Sequence, residues 1–410
     1  MVMAEQTADK EILEHIDRNE LVELGKSLVR IPSPIGEETP VARWVAEYLK
    51  DLGFDVELQE VERGWFQTVA TLKGSGGGRS IMFNGHLDSN PLAAGWTRNP
   101  YEPWVEGNRL HGAGIRNMKS GVASMIHAAD AIRKSGVRLR GDIVVACVLA
   151  ELQGGLGTKY LIDHGYKTDV AVVTEPYGAH HVVTKHGGMS KFSLHVKGRH
   201  PEGDDLTGVD AIPKMMKAID AIYDTSLTHQ PWEFQGLPWL KVGSIIGGRG
   251  EGYDLRSVSR NCDLCTAFIA VSTVPGMTAE TIRADLEGTL DRLRREDPDF
   301  EYELVHPIER KFNTWIIDHP PMDMAVEEEI VQTLASCYKK VTGRDPKGVG
   351  RPPSDISARY GDDDAHLWLA GIPAPIYGPG GGSYGNDYSD IDEMILCSQV
   401  LALTAVDICS

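Results

Sequence analysis

The stretch Gly85-His86-Leu87-Asp88 closes an extended run that begins at Ser80, and its reading decides the fold. Residues two apart on a strand point to the same face, so His86 and Asp88 present an imidazole and a carboxylate side by side at a strand end. The imidazole can ligate a metal ion there while the carboxylate orients it or a neighbouring base. Downstream lie a glycine-rich turn, Gly112-Ala113-Gly114-Ile115-Arg116-Asn117-Met118-Lys119, and the segment Glu151-Leu152-Gln153-Gly154-Gly155, which ends the apolar strand Ile143 to Ala150.

Around this stretch, helix and strand patterns alternate. Helical apolar spacing covers Leu21 to Val29 and Pro40 to Leu52, the latter stopped by Gly53. Extended runs follow at Phe54 to Leu58 and Thr68 to Leu72, then a helix from Ser120 to Arg133, a helix from Gly157 to His164 and a strand at Val170 to Thr174. Short apolar strands between amphipathic helices predict an α/β fold with a mostly parallel sheet flanked by helices on both faces. From Gly188 to Glu309 the pattern becomes strand, helix, two strands, helix, which predicts a smaller α+β unit with an antiparallel sheet. The helix Ala325 to Lys340 and a strand at Ala374 to Tyr377 then resume the first style. The economical organisation is one domain, residues 1–187 and 310–410, interrupted by an inserted domain, residues 188–309.

Composition narrows the function classes. A chain of 410 residues exceeds one compact core, and 41% hydrophobic with 24% charged residues is ordinary for a globular protein. No apolar run reaches the ~20 residues of a membrane helix, and the polar, acidic start lacks the pattern of a signal peptide, so a cytoplasmic location is the default expectation. A net charge of −18 argues against nucleic acid or an anionic membrane as partner. The six cysteines form no disulfide framework, and Cys262-Asp263-Leu264-Cys265 reads as two reduced thiols at a strand, since no second close pair completes a zinc site.

In order and spacing, five segments resemble the di-zinc peptidases and deacylases, the family of acetylornithine deacetylase, succinyl-diaminopimelate desuccinylase, aminoacylase and carboxypeptidase G. They are Gly85 to Asp88, Gly112 to Lys119, Glu151-Leu152, Glu175-Pro176 and Gly378 to Gly380. The resemblance implies a catalytic domain with an inserted lid or dimerisation domain, hence a homodimer or higher oligomer, and a small-molecule substrate. It carries over unequally. His86 and Glu175 keep their ligand types, the bridging Asp is Asn117, the second Glu of the pair is Leu152, and the final His aligns with Ser383. Both Leu152 and Ser383 fall where the family holds one metal, so the remaining site suits one weakly held divalent ion (Mn, Zn or Co). Asn117 brings an amide oxygen without charge.

The same resemblance makes Glu151 the general base and Asp88 the carboxylate that orients His86. Lys119 is expected as a surface charge at a helix start. His200 is the nearest match to the lid histidine that reaches a partner's active site. The family's substrate-binding arginine aligns with His366, so Arg351, Arg359 or His366 is expected to recognise an anion, and Ser383 with Tyr384 offers substrate contacts. The function implied is a metal-dependent hydrolase of a carbon–nitrogen bond in a small carboxylate-bearing molecule. Because a single weakly held ion suits an electron-poor substrate, the reading leans to removal of an amine from an activated ring, as in the family's unusual aminohydrolases, with N-acyl amino acid deacylation as the alternative. A non-catalytic binding protein is the alternative from another class.

Overall fold

A computed structural model of the chain describes residues 2–201, 207–256, 259–309, 317–382 and 387–410. The chain divides into two compact units, one of Met1–His186, Met322–Ala358 and Asp362–Ser410, the other of Gly187–Pro321 with Arg359–Gly361.

The first unit is built on a five-stranded sheet. Strands β1 (Asp55–Glu62) and β2 (Trp65–Leu72) form an antiparallel hairpin, and β2 pairs antiparallel with β4 (Ile143–Val148). Next to β4 lies β3 (Ile81–His86) and then β5 (Val170–Val173), all three parallel. The parallel strands are buried along their whole length because both faces are covered, and they are apolar except where β3 ends in Asn84, Gly85 and His86. Ile81, Phe83, Ile143, Val145, Cys147, Val170 and Val172 enter one core, whereas Met82, Val144, Ala146, Val148, Ala171 and Val173 enter another. That period of two assigns each side chain its layer, and burial of each large apolar side chain contributes ~1.5–3 kcal/mol.

Local sequence explains the ends of several helices. Asp17 caps the helix Arg18–Arg30 by accepting from the backbone N–H of Asn19 and Glu20. Pro40 sits in the first turn of Thr39–Asp51, and Gly136, at φ 73°, ends Ser120–Ser135. A helix over Ile391–Cys409 closes the chain, packed between Ser120–Ser135 and Glu329–Thr342. It carries no clear amphipathic stripe because it is buried on most sides. The expected strand at Ala374 to Tyr377 runs beside β5 as an irregular extended segment: Ala171 and Val173 donate to the carbonyls of Pro373 and Pro375, Tyr377 donates to Val173, and Ile376 exchanges hydrogen bonds with Val183, while Pro373 and Pro375 have no N–H to complete a ladder.

The second unit is an antiparallel sheet of Gly188–Lys197, Trp239–Gly248, Leu264–Thr273 and Glu301–Val305. Phe192, Leu194 and Val196 face the same core as Ala267, Ile269 and Val271, where the helices Ala211–Tyr223 and Ala279–Glu296 contribute Met215, Ile222, Leu286 and Leu290. Both Cys262 and Cys265 are buried free thiols.

Candidate metal centre and active site

The parallel register aligns His86 with Val148 and Asn84 with Val173, so the chain leaves β3, β4 and β5 at one edge of the sheet. Ligands of open α/β sheets gather at such carboxyl ends. His86 ends β3, Glu151 follows β4, and Glu175 follows β5. Ala150 adopts a left-handed conformation, φ 56°, which turns the chain sharply after β4. Gly155, also left-handed at φ 83°, passes so close to Asp363 that a Cβ would sit 2.4 Å from its Oδ1. Asn117 lies in the turn Ile115–Lys119 that leads into the helix Ser120–Ser135.

These segments converge on one imidazole nitrogen. His86 Nε2 lies 3.0 Å from Asn117 Oδ1, 3.2 Å from Glu175 Oε1 and 3.6 Å from Glu151 Oε2. A single N–H cannot satisfy three oxygens, and Glu175 Oε1 is buried without a hydrogen bond. On the other side of the ring, Nδ1 donates to the Asp88 carbonyl at 2.9 Å, with Asp88 Oδ1 at 3.3 Å. The Asp88 carboxylate accepts from the backbone N–H of Glu151 and of Leu152. An imidazole oriented through Nδ1, with a carboxylate and an amide oxygen gathered at Nε2, fits one divalent ion. Leu152 offers no donor for a second, and position 383 lies outside the described residues, as does Tyr384.

Charge is concentrated here. Burial pulls the His86 imidazole down, but the carboxylates of Asp88 and Glu175 outweigh it and hold it well above its ordinary value. Burial would raise Asp88 as well, yet His86 and the two backbone N–H groups keep it below the usual carboxylate range. Glu151 goes the other way: burial pushes it well above that range, His86 opposes, and Glu175, Asp363 and Asp362 push it further.

An acidic wall adjoins the centre, formed by residues that the motif reading passed over. Asp362 accepts from the Tyr177 hydroxyl at 2.7 Å, Asp363 from the Thr158 hydroxyl at 2.8 Å, and Asp364 from His186 Nε2 at 2.8 Å. Burial raises Asp362 to about 7 and Asp363 to about 8. The available signal was the run Asp362-Asp363-Asp364 ahead of a short apolar helix.

Other expected residues are engaged elsewhere. Arg351 pairs with Asp355 at 2.9 Å, and His366, which burial makes less basic, donates to the Gly154 carbonyl at 2.7 Å. In the second unit, His200 Nε2 sits 2.9 Å from Asp263 and 3.1 Å from Arg249, while Arg359 lies over the Trp239 ring. Lys119 is not a surface charge. It is buried and donates to the carbonyls of Leu28 and Ile31, and burial lowers it to about 7.

An α/β sheet with this cluster at its carboxyl edge, interrupted by an α+β unit, defines a metallohydrolase of two-domain type. The chain belongs to the peptidase family M20/M25/M40, whose profile matches residues 82–407, and it is a metal-dependent hydrolase acting on carbon–nitrogen bonds. It is 26% identical to N-formyl-4-amino-5-aminomethyl-2-methylpyrimidine deformylase of Bacillus subtilis (strain 168), over 97% of this chain and 94% of that protein. With acetylornithine deacetylase of Klebsiella pneumoniae (strain 342) it shares 28% identity over 66% of this chain and 70% of that protein. Among solved structures, the di-peptidase Dug1p from Saccharomyces cerevisiae superposes with a TM-score of 0.77 at 14% identity, covering 97% of this chain and 98% of that one.

Proposed function

We propose that the protein hydrolyses an N-acyl bond of a small molecule, with one divalent ion held by His86, Asn117 and Glu175 and with Glu151 as general base. The observation that carries this reading is the convergence of three oxygens on His86 Nε2, one of them from Glu151. The ion would supply Lewis acidity toward the substrate carbonyl. Glu151 accepts a proton from the attacking water and returns it to the leaving nitrogen, a role suited to a buried carboxyl whose proton affinity burial raises. Asp88 keeps a proton on His86 Nδ1 and so leaves Nε2 free to ligate. A deformylase and a deacetylase among the relatives support acyl removal.

A second reading is hydrolytic loss of an amine from an electron-poor aromatic ring of the nitroanthranilate type. Asn117 and Leu152 favour it, because a single, weakly held ion supplies less transition-state stabilisation than a pair of ions, and an activated ring needs less assistance. Arg351 and His366 already have partners, so a substrate carboxylate would bind at the ion itself.

The test is turnover by purified protein loaded with Mn, Co or Zn. Substrates are N-formyl aminopyrimidines, N-acyl amino acids and substituted anthranilates. Release of formate or acetate supports the first reading and release of ammonia the second. No turnover with any metal would sink both.

A further inference from the structure

We propose that a second divalent cation binds beside the centre already described, held by His186, Asp362 and Asp364. One ligand atom from each residue lies within 4.8 Å of the others, and all are buried. His186 ends a short strand paired with Met322, and Asp364 opens the helix Asp364–Leu369, so backbone structure holds both.

The carboxylate of Asp364 is turned into the cluster. Its Oδ1 accepts from His186 Nε2 at 2.8 Å and from the Ala365 N–H at 2.9 Å, while Oδ2 is buried with no hydrogen-bond partner. A buried carboxylate oxygen without a donor is costly unless a cation or proton meets it. Among the described residues, no Lys or Arg pairs with Asp362 or Asp364. Tyr177, two residues after Glu175, fixes Asp362 through its hydroxyl, as outer partners fix metal-binding carboxylates. One imidazole and two carboxylates suit Zn, Mn or Co, with water or other groups completing the sphere.

This pocket differs from the second position of the two-metal relatives, which would need donors at residues 152 and 383. Its ion would act on the acidic wall, neutralising the carboxylates of Asp362 and Asp364. The inference is independent of which bond the enzyme cleaves, because its test counts ions.

Chelator-stripped protein is titrated with Co or Mn, and bound metal is counted after desalting. The wild-type chain should saturate at two equivalents, Asp364→Asn and His186→Gln at one, and Glu175→Gln should lose the other equivalent. Retention of the wild-type stoichiometry by a folded Asp364→Asn protein overturns the proposal. So does a wild-type titration that breaks at one equivalent, a reading that needs no variant.

Discussion

The backbone N–H of Glu151 donates to Asp88 Oδ1 at 3.1 Å, so the carboxylate beside His86 also positions the segment that carries the base. Asp88→Ala should therefore impair two things together. Metal affinity should fall ~10-fold or more as the imidazole loses its orientation, and kcat should fall even at saturating metal. Metal titration and saturating kinetics measure the two losses separately, and an effect on metal affinity alone would detach Asp88 from Glu151.

Glu151→Gln separates the roles. The amide keeps the shape and removes the proton acceptor, so turnover should drop by ~100-fold or more. Metal content should stay close to wild type. Near-normal turnover would remove Glu151 from the chemistry.

Asn117→Asp should raise metal affinity in the absence of substrate, because it restores a negative charge next to His86 Nε2. In the wild-type chain a substrate that brings its own carboxylate or amine should tighten metal, and metal should tighten substrate by the same factor. Calorimetric titrations with and without a slow analogue should show that coupling, and it should shrink in Asn117→Asp. Equal metal affinities in both wild-type titrations would refute it.

Metal-free protein should lose stability as pH rises from about 5 to 8. A histidine whose folded pKa is raised contributes stability that is full below its unfolded value, ~6.5, and lost as pH climbs through the folded value. His86 is such a group. Raised carboxyls act in the same direction, being favoured while protonated: Glu38 and Asp362 at about 7, Asp363 at about 8. Thermal melts of chelated protein across this window should decline, and added metal, which displaces the proton from His86, should flatten the curve. A rising curve in chelated protein would contradict the assignment.

Lys119→Met should destabilise by roughly 1–3 kcal/mol, since it leaves the Leu28 and Ile31 carbonyls without their donor in a buried position. Urea unfolding measures the loss. The ratio kcat/KM of the folded fraction should change little.

The sequence by itself determined the sheet, the inserted α+β pattern and the three residues that end β3 and follow β4 and β5. Those features are largely local: short apolar runs specify the buried strands, and parallel register then brings the chain out of β3, β4 and β5 at one edge, close to His86, Glu151 and Glu175. The helix Ile391–Cys409 was not legible, because a helix buried on most sides shows no polar stripe to mark its period. Nor was the direction of Lys119, which depends on where the helix Arg18–Arg30 ends. His186 and Asp364 are 178 residues apart and meet only because Asp364–Leu369 packs against this end of the sheet. Tertiary structure alone decided that contact, as it decided that His366 meets the Gly154 carbonyl 212 residues away, since the partner of a buried side chain is set by packing across the chain and not by its neighbours in sequence.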